Sequence, residues 1–233
     1  MARLLLISNS TQFGSGYLEH CQDSIREFLA QGVQRLLFVP YALHDLDGYA
    51  NAARKGFERI GYGLDSIHEA EDPVAAVGAA EALFIGGGNT FRLLTRLYEN
   101  GLLDPIRERV RGGMPYIGTS AGSNVACLSI KTTNDMPIVY PPSFDALQLV
   151  PIQLNPHFID PPSGSEHMGE TRETRINEFH EMNPEVVVGI RESAILHIEG
   201  DRMTLEGGRG GVIFRAGQPR EDLDPGADLS SLL

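Results

Sequence analysis

The sequence predicts an α/β fold with a mostly parallel sheet covered by helices on both faces. Three observations carry that expectation. Short apolar runs alternate with amphipathic, helix-like stretches through the first half of the chain. Those runs are nearly continuous in apolar residues rather than alternating, as strands buried on both faces require. With 233 residues and 42% hydrophobic content, the chain can bury a sizeable core. One domain over residues 1–233 is expected, with a peripheral tail from residue 218 onward.

The elements follow in order. "RLLLIS" (3–8) reads as a strand, followed by a helix-like segment over Tyr17–Ala30. "RLLFVP" (35–40) is a second strand and "DGYANAARKGFERIG" (47–61) a second helix. "ALFIGG" (82–87) is a strand backed by helical "TFRLLTRLYENG" (90–101), after which come "LLDPIRERVRGG" (102–113) and the strand "MPYIG" (114–118). The second half changes character. Residues 137–164 are rich in proline and read as a long excursion across a site face. "GETRETRINEFHEM" (169–182) is helix-like, and "VVVGI", "AILHIEG", "RMTLEGG" and "GVIFRAG" look like strands joined by tight turns.

Composition excludes several classes. A formal charge of −12 argues against a nucleic-acid backbone as partner. It leaves an anionic small substrate open. Distant net charge is screened beyond about 8 Å, whereas one arginine about 4 Å from a carboxylate contributes on the order of 4 kcal/mol before desolvation. No run approaches the roughly 18 apolar residues that span a bilayer. The opening "MARLLLI" is too short in apolar residues for a signal peptide. Cys21 and Cys127 form no CxxC or zinc-type spacing, so a reduced, cytoplasmic setting is expected, as is a monomer or homodimer.

Two glycine loops could carry chemistry. "FGSGYLEH" (13–20) has Glu19 where a dinucleotide fingerprint needs its third glycine, and reads as a strand-to-helix turn. "FIGGGNT" (84–90) follows a buried-looking strand. Its backbone amides could supply half of an oxyanion hole, or it could be a tight turn with Asn89 or Thr90 as helix cap. "GTSAG" (118–122) places Ser120 where a strand meets a helix-like run, the context of a nucleophile elbow. The Ala121 amide would then face the substrate oxyanion. The competing reading makes Ser120 a simple N-cap.

A serine hydroxyl needs a base. Of seven histidines, His157 stands out because it lies in the proline-rich excursion rather than on a periodic face. His197 reads as packed or surface, and no H-E-x-x-H pattern or other metal-ligand spacing is present. The orienting acid stays open between Glu192, at the end of "VVVGI", and Asp135, in "TTNDMPI". Asp160 and Glu166 read as solvated loop acids.

Together, "FIGGGNTFRLL", "YIGTSAGSN", "NPHFID", "GETRETRINEF" and "GIRESAIL" resemble the peptidase E (α-aspartyl dipeptidase) family, in order and over nearly the whole chain. The resemblance implies a three-layer α/β/α sandwich related to class I glutamine amidotransferases, with a serine in place of their cysteine. It implies Ser120 as nucleophile, His157 as general base and Glu192 as orienting acid, with Asp135 an active-site acid also assigned to the relay. Gly88 and Ala121 would supply oxyanion-hole amides, and no metal or cofactor is implied. The implied reaction is hydrolysis of Asp-Xaa dipeptides through an acyl-enzyme. Asn89, Arg172, Arg175 and Glu170 are candidate substrate-binding residues, the arginines for a carboxylate and Asp135 or Glu170 for the α-ammonium. Each arginine could equally be a solvated helix residue beside Glu173 and Glu178. The rivals are a cyanophycinase-like hydrolase, an α/β-hydrolase esterase, and a non-catalytic module that binds aspartyl peptides.

Overall fold

Alternation along the first strand sets the architecture. In β1 (Arg3–Ile7), Leu4 and Leu6 enter one apolar cluster while Leu5 and Ile7 enter another. Successive side chains on a strand point to opposite faces, so a strand apolar at every position must be covered twice. The computed structural model describes residues 2–29, 32–161 and 169–233, and over these it shows the expected three-layer α/β/α sandwich. Ala30, Glu166, His167 and the last three residues of the 137–164 stretch lie outside the described residues.

In chain order, β1 is followed by α1 (Gln22–Leu29), β2 (Arg35–Val39), α2 (Leu46–Ile60), β3 (Gly63–Ser66), α3 (Pro73–Ala79), β4 (Leu83–Ile85), α4 (Thr90–Glu99), α5 (Leu103–Arg111), β5 (Tyr116–Thr119) and α6 (Ala121–Asn124). Then come β6 (Gln153–Phe158), α7 (Arg172–Met182), β7 (Val187–Arg191), β8 (Ile195–Glu199), β9 (Arg202–Glu206), β10 (Gly211–Phe214) and β11 (Glu221–Leu223). The main sheet runs β3-β2-β4-β5-β1-β8-β9, parallel from β3 to β1 and antiparallel at β8 and β9. Helices α1 and α2 cover one face through Ile25, Phe28, Ala53 and Phe57, while α4 and α5 cover the other through Leu93, Leu97, Ile106 and Val110. A second sheet, β11-β10-β7-β6, shares this latter cluster through Leu154, Val188, Ile190 and Ile213.

Several elements differ from the sequence expectation for physical reasons. The first helix begins at Gln22 rather than Tyr17, because Leu18 takes a left-handed φ of 60° that breaks an α-helix. β3 and α3 go beyond the sequence reading; Asp72 caps α3 through the Val74 and Ala75 amides, with Pro73 opening the helix. The helix-like run after Ser120 yields only the single turn of α6, since Ser123 and Asn124 are buried and spend their side chains on the backbone of other segments. The four late strands do not form one run of hairpins: β8 and β9 pair in the main sheet, while β7 and β10 pair in the second. The residues after 218 add β11 and bury Leu229 against the main cluster.

Candidate active site

Ser120 sits between β5 and α6 with φ 52° and ψ −109°. A non-glycine residue rarely adopts positive φ, and the surroundings over-determine it here. Its amide donates to Ile7 O at 2.9 Å, and its carbonyl accepts from Ser123 N and Asn124 N, both at 3.0 Å. Gly122 allows the turn to lie against β4, since a Cβ there would run into the Ile85 carbonyl. The serine occupies the N-cap position, yet its hydroxyl makes no capping bond. Instead Oγ lies 3.0 Å from His157 Nε2. The geometry therefore separates the two sequence readings of this residue: the position is that of a cap, and the hydroxyl is turned toward a base.

His157 is not in a loop. It is the penultimate residue of β6, with φ 54°, where the β6–β7 register shifts between Pro156 and Phe158. A bulge of this kind re-aims a side chain, and here it turns the imidazole toward Ser120. On the other side of the ring, Nδ1 lies 3.5 Å from Glu192 Oε1, a contact too long for a formed hydrogen bond. Glu192 directly follows β7, and β6 and β7 are parallel neighbours, so strand pairing brings base and acid together. Glu192 borders a hollow of about 680 Å³ lined by Gln12, Phe158, Arg191 and Arg209 among others, which keeps the carboxylate exposed. The Gly88 and Ala121 amides donate to no protein acceptor among the described residues, and Gly88 has a φ of 131°.

Asp135 is engaged at the start of α4. Its Oδ2 accepts from Thr90 N at 2.7 Å and from Thr90 Oγ1 at 2.6 Å. Thr133 Oγ1 donates in turn to Thr90 Oγ1 at 3.0 Å. Asn155 Nδ2 donates to Asn134 Oδ1 at 2.9 Å, which ties this segment to β6. Asp135 shares a small cleft with Ser120, Asn124, Asn134 and His157, and its contacts are to Thr90 rather than to the imidazole.

The expected substrate-binding residues divide. Asn89 has both ends of its amide engaged, Oδ1 capping α4 at Arg92 N and Nδ2 donating to Met136 O at 2.9 Å. Arg175 is paired with Glu170 at 3.2 Å, which occupies both of those candidates. Arg172 is half-buried and forms no ion pair among the described residues. Burial pushes its guanidinium below the ordinary arginine value; the like charge of Arg175 adds to this and the carboxylate of Asp135 opposes it.

Sequence reasoning missed Ser8, Asn9, Thr90 as an Asp135 ligand, and Arg191. Ser8 and Asn9 are buried and contact the backbone beside His157 and Glu192. Their signal was a polar pair directly after a buried strand. Asp160, expected to be merely solvated, accepts from Arg191 Nε at 2.7 Å and pairs with Arg220 at 3.2 Å. Among the described residues one cluster has metal-ligand composition, Asp47, His68 and Glu69. Glu69 is engaged by Arg54, and the His68 nitrogens by Ser66 and Asp47. No described helix is long and apolar enough to cross a membrane.

Comparison with known proteins gives the family of the chain. The sequence model described as peptidase family S51 matches residues 4–206. The chain is 53% identical over 230 residues to a protein named Peptidase E from Streptomyces coelicolor, covering 99% of this chain and 94% of that one. It is 48% identical over 232 residues to a protein named probable alpha-aspartyl dipeptidase from Drosophila melanogaster, covering 99% and 97%. Among solved structures, a peptidase from an acI-B1 Actinobacterium superposes with a TM-score of 0.71 over 98% of this chain and 96% of that one. At 17% identity, that likeness speaks for the fold alone.

Proposed function

The chain belongs to peptidase family S51, and from that membership we propose that it is a serine-type dipeptidase that hydrolyses Asp-Xaa dipeptides without a metal. The observation that carries the reading is the Ser120 hydroxyl, left free of any capping bond and lying 3.0 Å from His157 Nε2. In this reading Ser120 Oγ attacks the aspartyl carbonyl as His157 Nε2 takes its proton. The tetrahedral oxyanion is held by the Gly88 and Ala121 amides. His157 then protonates the leaving amine, and water repeats the sequence on the aspartyl-enzyme.

Glu192 is our orienting acid, because it is the carboxylate that faces Nδ1. Asp135 we assign to the substrate: Thr90 fixes one of its oxygens and leaves the other for the α-ammonium. Arg172, with no ion pair among the described residues, is assigned to a substrate carboxylate, where its planar fork binds both oxygens. The apolar cluster that runs through both sheets supports treating residues 1–233 as one catalytic unit. Two buried free thiols, Cys21 and Cys127, fit a reducing cytoplasmic setting.

The test is direct. Protein treated with chelator is expected to cleave Asp-Leu but neither Leu-Leu nor N-acetyl-Asp-Leu. Equal turnover of all three would sink the specificity, and no turnover of any would favour a binding module. Ser120→Ala is expected to abolish the acyl-enzyme seen by mass spectrometry; appreciable retained activity means that the nucleophile is another residue.

A further inference from the structure

Ile7, the last residue of β1, and the two residues that follow it each hold the backbone at or beside one member of the Ser120–His157–Glu192 set. Ile7 O accepts from Ser120 N at 2.9 Å. Ser8 Oγ accepts from His157 N at 2.9 Å. Asn9 Oδ1 accepts from the amide of Ser193, next to Glu192, at 2.7 Å. The residues so held have left-handed φ values of 52° (Ser120), 54° (His157) and 67° (Ser193). Such values in non-glycine residues persist only where the surroundings impose them.

The first of these bonds uses a main-chain carbonyl and is indifferent to sequence. The other two need side chains. Ser8 and Asn9 are 0% and 1% exposed. Ser8 Oγ also donates to Ile190 O at 3.0 Å, so one hydroxyl ties β6 to β7 at the point where base and acid leave their strands. Asn9 Nδ2 donates to Thr11 O at 3.0 Å, which fixes the amide so that its oxygen faces Ser193. Burial excludes water from replacing either bond.

We propose that Ser8 and Asn9 are positioning residues, whose side chains impose the left-handed turns at His157 and Ser193 and thereby set the spacing of Ser120, His157 and Glu192. The proposal rests on those three being the catalytic set. Its physical basis is that a misplacement of about 1 Å in a reacting group costs on the order of 100-fold in rate. The Nδ1 to Oε1 contact is already loose at 3.5 Å, so little further drift is tolerable.

The experiment uses Ser8→Ala and Asn9→Ala in the full chain, with thermal melts to establish folding. Two rates are read: steady-state turnover of Asp-Leu, and labelling by a fluorophosphonate, which reports Ser120 activation without dipeptide recognition. In Ser8→Ala kcat and the labelling rate are expected to fall about 10- to 100-fold, and in Asn9→Ala by no more than the roughly 5- to 30-fold that Glu192 itself supplies, while KM stays within about 2-fold in both. In a Glu192→Gln background, Asn9→Ala is expected to add less than about 2-fold, because it acts through Glu192. A raised KM with unchanged kcat and labelling overturns the proposal, as does a full multiplicative loss on top of Glu192→Gln. If Ser8→Ala fails to fold, Asn9→Ala and its cycle decide. Undiminished labelling of Ser120→Ala, by contrast, overturns the catalytic reading beneath it.

Discussion

Glu192→Gln keeps the side chain's size and an oxygen facing His157 while removing the charge, so it isolates the electrostatic part of the acid's role. In the proposed acyl transfer the imidazole becomes an imidazolium, which a carboxylate 3.5 Å from Nδ1 would stabilise. At that distance a unit charge pair contributes about 1 kcal/mol under bulk-water screening and about 5 kcal/mol at an effective dielectric of about 20. Exposure decides between these limits. The His157 and Glu192 side chains are 39% and 58% exposed, so water reaches both partners. The contribution therefore lies near the lower limit, at about 1–2 kcal/mol. That converts to a kcat about 5- to 30-fold lower, far short of the roughly 10,000-fold loss when a buried triad aspartate is neutralised. Steady-state turnover of Asp-Leu at saturating substrate is the assay, with KM expected to move less than about 2-fold. Asp135→Asn measured alongside is expected to raise KM instead. If Asp135→Asn lowers kcat and Glu192→Gln does not, the roles assigned here are exchanged. A 10,000-fold loss in Glu192→Gln would refute the argument from exposure.

Three further outcomes test other parts of the structure. Arg172→Met is expected to raise KM for Asp-Leu about 10- to 100-fold, the equivalent of a charge-assisted bond, whereas Arg175→Met, already paired with Glu170, should stay within about 2-fold. Gly122→Ala should lower stability by about 1–3 kcal/mol, seen as a Tm drop of about 2–12 °C, because the added methyl meets the Ile85 carbonyl; an unchanged Tm means the elbow can relax. The hydrogen bond from Arg191 holds the Asp160 carboxyl below its ordinary value of 3.8. A lowered carboxylate value contributes stability above the unfolded-state value, which is lost as pH falls through the folded one. The Tm gap between wild type and Asp160→Asn should therefore be open at about pH 6 and close below about pH 4; a gap independent of pH would exclude the ion pair as its cause.

The elbow that carries Ser120, our proposed nucleophile, was legible in the sequence because it is local. A strand, a small-residue turn and a serine lie within a few positions, and Gly122 must be small for reasons the turn itself imposes. The parallel sheet was legible for the same reason, since each apolar run announces its own burial. What could not be read depends on which strands become neighbours. His157 looked like a loop residue because "NPHFID" carries a proline, but Pro156 sits on β6, where the strand shifts register against β7. The late strands likewise carry no mark of which sheet they join.

The choice between Asp135 and Glu192 follows from the same cause. In sequence Asp135 lies between Ser120 and His157, and Glu192 at the end of "VVVGI", and neither position decides between them. The fold runs the chain from β6 through α7 into β7 as a parallel neighbour, with Phe158 opposite Arg191. A parallel pair delivers the ends of both strands to the same edge, so the residue after β7 arrives beside the imidazole however far away it is in the chain. Asp135 meanwhile is drawn to the start of α4, where the Thr90 amide and hydroxyl satisfy one oxygen. Helix starts attract carboxylates on their own account. An acid spent in that way is poorly placed to orient a histidine and well placed to meet an ammonium, which is the ground for the proposed division of the two carboxylates between substrate and base.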